Sequence, residues 1–235
     1  MRALFARRWV RRLVLGGVVL VILVVGGPFV YIHFIEGKAP PRLAIPTTTT
    51  TGASGSASAA DQSADGSWRI SSGSQAGYRV QEVLFGQDNT AVGRTGDITG
   101  TVSIAHSSVT AGSFTVNLST VNSDRSQRDG QFRGRIMNVA RYPNATFVLS
   151  QPITLPAGAE SGKTVSVEAT GQLTLHGTTR QVAVSMQARL SGGAMQVSGS
   201  IPITFADWNI TNPSFGPVTT QDHGTMEFLL NLSRS

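Results

Sequence analysis

The sequence predicts an antiparallel all-β domain with one short helix, carried behind a membrane-spanning segment and a flexible linker. Three observations predict this. From about residue 66 onward, apolar side chains recur at every second position. Residues 13–35 form an uncharged apolar run behind an arginine-rich start, and residues 36–66 between the two are dominated by Pro, Thr, Ser, Ala and Gly.

The basic tail, residues 1–12, carries Arg2, Arg7, Arg8, Arg11 and Arg12 and no acid, and residues 13–60 add only Lys38, Arg42 and Glu36. The first 60 positions therefore hold the whole formal charge of +6, and residues 61–235 balance 12 basic against 12 acidic side chains. A neutral domain has no field to attract polyphosphate, which argues against a nucleic-acid binder. As a helix, residues 13–35 would span about 35 Å, enough for a bilayer. The positive-inside rule then places residues 1–12 in the cytoplasm and everything after about residue 36 outside the cell membrane. A cleaved signal peptide shares the basic start, but this apolar run is longer than a usual signal core and no small-x-small cleavage site follows it. The expectation is an uncleaved single-pass anchor. Residues 36–66, with five consecutive threonines from Thr47 to Thr51, offer little to bury and are expected to be a disordered tether of about 30 Å mean reach.

The remaining domain, residues 67–235, has the size of one ordinary fold. Ile98, Gly100, Val102 and Ile104 alternate, then Phe114, Val116 and Leu118. Val165 to Leu175, Val182 to Leu190, Met195 to Phe205 and Met226 to Leu232 repeat the pattern, which is the mark of half-buried strands. Turn signals separate them: His106-Ser107-Ser108, Gly177-Thr178, Ser191-Gly192-Gly193 and Asn212-Pro213. Only Ser126 to Asn138 breaks the period, with Phe132, Ile136 and Met137 at helical spacing behind Asp124 or Ser126 as a cap. Strands with one apolar face must cover it, either by curling into a barrel or by packing two sheets. The small inward residues Gly100, Ala169, Gly171, Ala188 and Gly199 fit two readings: space for a ligand, or room for large neighbours opposite.

The segments Gly66 to Tyr78, Val92 to Thr101, Ser123 to Phe147, Gly171 to Arg180 and Asp207 to Glu227 occur in the order seen in YceI-like proteins, and the sequence resembles that family over nearly the whole outer domain. The ordered set Arg128-Asp129, Tyr142-Pro143 and Leu173-Thr174-Leu175-His176-Gly177 is its most specific part. The resemblance implies a lipocalin-like antiparallel β-barrel whose bore holds a polyisoprenoid chain. Two departures stand out: Ser74 to Tyr78 where many members have a His-Ser pair, and Gln131-Phe132 where a short His-containing segment is usual. Both fall on polar groups that would meet a head group.

Inward Phe114, Phe147, Met186, Met195 and Phe205 can wall a tunnel, methionine adapting to an irregular occupant; Tyr78, Phe132 and Ile136 complete the expected ligand-contacting set with Arg128 and Asp129. The last two belong to a cluster of five arginines, Arg125, Arg128, Arg133, Arg135 and Arg141, which fits either a polar group at a barrel mouth or ion pairs fixing the helix. His106, His176 and His223 show neither ligand spacing nor a nucleophile elbow, and there is no cysteine; no catalytic or metal site and no cofactor is expected. The expected activity is the binding or carriage of an isoprenoid or quinone-type lipid beside the membrane. The alternative is an envelope protein–protein module with a filled core, and a homodimer is left open.

Overall fold

The computed structural model describes residues 16, 17, 19, 20, 39–46, 63–84, 86–216 and 218–235. The span expected over 13–35 lies outside these but for four positions, as does the basic tail 1–12; among the described residues no helix is long and apolar enough to cross a membrane.

The alternating segments form an antiparallel sheet of twelve strands among the described residues. Eight close into a barrel: β1 (Gly66–Ile70), β4 (Ile98–Ala105), β5 (Ser108–Asn117), β6 (Asn144–Leu149), β8 (Val165–Leu175), β9 (Thr178–Ser191), β10 (Ala194–Thr204) and β12 (His223–Arg234), with β12 returning to β1. The closure is made by Trp68 opposite Arg234 and Ile70 opposite Leu232. Nearer its start, β12 changes partner, and Thr225 to Leu229 pair with Arg79 to Gln75 of β2 (Gln75–Leu84). β2 continues into β3 (Gln87–Thr95), which leaves the ring but stays tied to its surroundings by an Arg94–Asn122 bridge and by Arg94 on Glu227 of β12 at 2.9 Å. Short β7 (Ile153–Thr154) and β11 (Val218–Thr220) flank β5 and β2. One end of the barrel is thus sealed by β1 and the other is left open between β3 and β5.

Tight turns set the registers. His106-Ser107, His176-Gly177 and Gly192-Gly193 each have positive φ at both central residues, the twist that joins antiparallel strands without splaying them. Two non-glycine residues in that region are costly; at His106 and Ser107 both backbone N–H groups donate to the Asp65 carboxylate, at 3.1 and 3.3 Å. At the sealed end Trp68 is fully buried, donates its indole N–H to Ala64 at 2.8 Å and lies under the Arg234 guanidinium.

The inward glycines make room for neighbours. A Cβ on Gly100 would lie 2.5 Å from the Phe114 ring, one on Gly171 2.2 Å from Phe147, and one on Gly199 2.7 Å from Phe228. Each aromatic ring fills the space of a glycine on an adjacent strand, so of the two readings for small inward residues the second holds at these positions. Ala169 and Ala188 instead line interior space.

The helix differs in detail from expectation. α1 (Ser126–Gln131) is followed by a wider π-turn, Phe132–Ile136, in which Met137 donates to the Phe132 carbonyl at 2.9 Å. Its N-cap is Arg125, with no side-chain cap. Asp124 binds Arg128 one turn on, and Ser126 is already helical. Part of the expected tether is also docked: residues 39–46 lie on the outer wall, with Ile45 buried, while 47–62 lie outside the described residues. Composition hides this because Leu43 and Ile45 are isolated among prolines and small residues.

Overpacking a glycine–aromatic interlock costs about 1–3 kcal/mol. Gly171→Ala, which also meets the Val148 carbonyl at 2.7 Å, is expected to lower urea stability by that much, whereas Gly134→Ala, with open space around it, leaves the midpoint nearly unchanged.

Candidate ligand-binding bore

The open end leads into a cavity of about 490 Å³ bounded by β2, the α1 segment, β10, β12 and the stretch 203–220. Behind it lies a smaller chamber of about 150 Å³ among the strands of the ring. Ala76, Val116 and Met226 line both, so they mark the boundary between the two, where a connecting neck would lie. The outer chamber lies within the range typical of small-molecule pockets.

The register explains which side chains reach this space. Tyr78, Val80 and Glu82 occupy the inward phase of β2, as Met226 and Phe228 do on β12 and Ile201 and Ile203 on β10. Of the residues expected from sequence, Tyr78, Arg128, Phe132, Ile136 and Phe205 line the outer chamber, and Phe114, Phe147, Met186 and Met195 the inner one. Asp129 lines neither. Its buried carboxylate accepts from the Ser123 backbone N–H at 2.8 Å and hydroxyl at 2.7 Å, which ties the first turn of α1 to the strand exit behind it. Asp129 therefore holds the helix through hydrogen bonds to Ser123, whereas the ion pairs of the cluster run through Arg128 and Arg125.

The mouth concentrates the polar groups. Tyr78 stacks on Phe132 with ring centroids 5.0 Å apart and lies over Gly93, where a Cβ would sit 2.4 Å from the ring. Burial pushes its phenol well above the ordinary tyrosine range, against the opposing effect of nearby Arg128, so it stays a neutral donor. Its hydroxyl makes no hydrogen bond among the described residues. Arg128 bridges Glu82 at 3.1 Å and Asp124. Burial works against its charge, yet the two carboxylates outweigh burial and raise its pKa above the ordinary arginine value. Arg128 thus joins the helix to β2 and presents a compensated cation at the rim. Gln127 and Gln131 complete the polar edge.

Several lining residues escaped the sequence reading. Leu118, Val121, Ile210, Phe215 and Met226 all face the outer chamber. Met226 was legible as the first member of an alternating run. Ile210 and Phe215 lie on irregular backbone after the short 3₁₀ turn Phe205–Trp208, where no period marks the inward phase. The three histidines of the outer domain sit in separate surroundings: His106 in the β4–β5 turn, His176 with Nδ1 3.2 Å from the Trp208 carbonyl, and His223 paired with Asp222 at 2.8 Å.

A model of the YceI-like domain matches residues 68–232. No curated protein matches the sequence. Among solved structures, a polyisoprenoid-binding domain from Saccharophagus degradans, implicated in plant cell wall breakdown, superposes with a TM-score of 0.57 at 17% identity, covering 72% of this chain and 98% of that one. BcnA of Burkholderia cenocepacia gives 0.51 at 21% identity, covering 66% and 95%. At these identities the likeness is one of fold.

Leaving the two Ser123 donors without Asp129 costs about 1–3 kcal/mol. Asp129→Ala is expected to lose that much stability and to accelerate hydrogen exchange across residues 123–137, while β8 to β10 keep their protection.

Proposed function

The chain belongs to the YceI-like family, and on that premise we propose that it is a membrane-anchored extracytoplasmic protein that binds or carries an isoprenoid or quinone-type lipid inside the barrel. The observation that carries this reading is the pair of adjoining chambers: a wide mouth with polar groups at its edge and a narrow inner space walled by Phe114, Phe147, Met186 and Met195. A prenyl tail threads the neck into the inner chamber, and its head group stays at the mouth beside the Tyr78 hydroxyl, Gln127, Gln131 and Arg128. The Saccharophagus degradans domain of the same fold is described as polyisoprenoid-binding, which supports the ligand class. The rival reading, a protein–protein module, requires a core filled by side chains.

Apolar burial suffices for affinity. At about 0.8 kcal/mol per methylene, a tail of roughly 20 carbons gives a gross term on the order of 10–15 kcal/mol before association and ordering costs. Polar contacts at the mouth then select the head group. In this account residues 13–35 anchor the chain, residues 1–12 are cytoplasmic, and the barrel stands outside, next to the bilayer that dissolves its ligand.

Mass spectrometry of lipid extracted from the purified full chain tests the reading: a stoichiometric isoprenoid is expected, and a chain that yields none and takes up no added quinone sinks it. Two variants refine the test. Ile136→Asp puts a charge in the outer chamber and is expected to weaken quinone binding about tenfold or more, or at least about 1.4 kcal/mol. Met226→Trp narrows the neck and is expected to shorten the longest prenyl tail accepted while a short-tailed quinone still binds.

A further inference from the structure

The feature that lipid binding leaves unused is the strap on the outer wall. Arg79 donates through Nη2 to the Pro40 carbonyl at 2.7 Å, Arg94 donates to the Pro41 carbonyl, and Arg189 donates through Nη1 to the Pro46 carbonyl at 3.1 Å. The first two guanidinium groups are fixed from beneath by Glu227, itself only 2% exposed, at 3.2 Å to Arg79 and 2.9 Å to Arg94. Prolines bring carbonyl acceptors without N–H groups to satisfy, so such a segment lies on a wall without extending the sheet. Ile45 is buried and Leu43 half-buried, while Arg42 and Ala44 are exposed. This is a period-two contact face on a segment of eight described residues.

The strap has a direction. Arg79 is paired with Thr225, near the mouth end of β12. Arg189 is paired with Gln196, which lies opposite Asn231, six residues, or about 20 Å, further along that strand toward the sealed end. The chain therefore meets the wall at Pro40 on the mouth side and leaves it at Pro46 toward the sealed end. Between residue 35, where the proposed span ends, and Pro40 the chain can reach about 15–20 Å. The mouth side also carries interfacial side chains. Residues 124–141 hold five arginines against Asp124 and Asp129, and Phe215, 63% exposed, lies beneath the Arg135 guanidinium at 5.7 Å. Aromatic rings and cationic groups are the side chains that favour the head-group layer.

We propose that the strap holds the barrel mouth-down on the bilayer, with the arginine lip and Phe215 at head-group level, so that lipid passes between membrane and bore without crossing water. This rests on the anchor assigned under the proposed function. The chain contains no cysteine, so single reporters can be placed: Thr219→Cys at the exposed position of β11, at the mouth, and Ser235→Cys at the sealed end. Each full-length variant is labelled with a fluorophore and reconstituted in phosphatidylcholine–phosphatidylglycerol vesicles carrying a head-group nitroxide quencher. The mouth reporter is expected to be quenched severalfold more than the sealed-end reporter, and Leu43→Asp with Ile45→Asp, which releases the strap and leaves the bore intact, is expected to abolish the difference. Equal quenching in the parent chain overturns the proposal, as does an asymmetry that survives strap release. Flotation of the same vesicles separates the two readings: a chain that fails to float removes the anchor and the proposal with it, whereas a chain that floats without asymmetry removes the strap alone. Circular dichroism of the released variant confirms that the barrel remains folded.

Discussion

The structure depends on how one strand divides its edge between two partners. β12 pairs along one side with β10 over nearly its whole length, but on the other side it meets β1 near its end and β2 near its start. Where β1 joins it, the ring closes and Trp68 fills the end. Where β2 joins it, the sheet runs out into the β2–β3 hairpin, and among the described residues no strand bridges from β3 to β5. A sheet with one apolar face cannot leave that gap to water. The α1 segment covers it with Phe132, Ile136 and Met137, held down by Asp129 on Ser123 and by Arg128 on Glu82. The same change of partner therefore produces the seal, the mouth and the need for a helical lip.

Much of this is written in the chain, because a strand with one wet face must alternate. The runs from Val165 to Leu175 and from Val182 to Leu190 place their inward residues as the pattern demands, and Phe114, Phe147, Met186 and Met195 reach the inner chamber for the same reason. What alternation leaves open is register. Whether Gly171 marks empty space or a seat for Phe147 depends on which residue of β6 lies beside it, and a single strand does not carry that information. Asp129 is similar: its charge and position invite a ligand role, and only the fold of residues 117–126 brings Ser123 within reach. The strap was obscured by composition, since two apolar side chains two residues apart in a Pro-rich segment are too few to register as an element until the arginines of β2, β3 and β9 appear beneath them.

Charge and apolarity are divided along the chain. The net +6 belongs to the first 60 residues, while the barrel is neutral overall and keeps its ion pairs at the lip and on the outer wall. The interior offers an occupant van der Waals contact and little else, and polar discrimination is confined to the mouth. On the proposed function, tail length would be set where Ala76, Val116 and Met226 line both chambers, and the head group would meet Tyr78, Gln127, Gln131 and Arg128. The two departures from the common family pattern, at Ser74 to Tyr78 and at Gln131-Phe132, place Tyr78, Gln131 and Phe132 in the lining of the outer chamber and Ala76 where the two chambers meet.

Lipid carriage by this barrel requires the two chambers to form one ligand-holding bore. The most direct test is a structure of the full chain determined after co-purification with, or saturation by, a long-tailed quinone. Continuous ligand density is expected from the Tyr78–Arg128 edge through the neck to Phe114 and Met186. A bore that stays empty under saturation, or density confined to the outer wall, would contradict it.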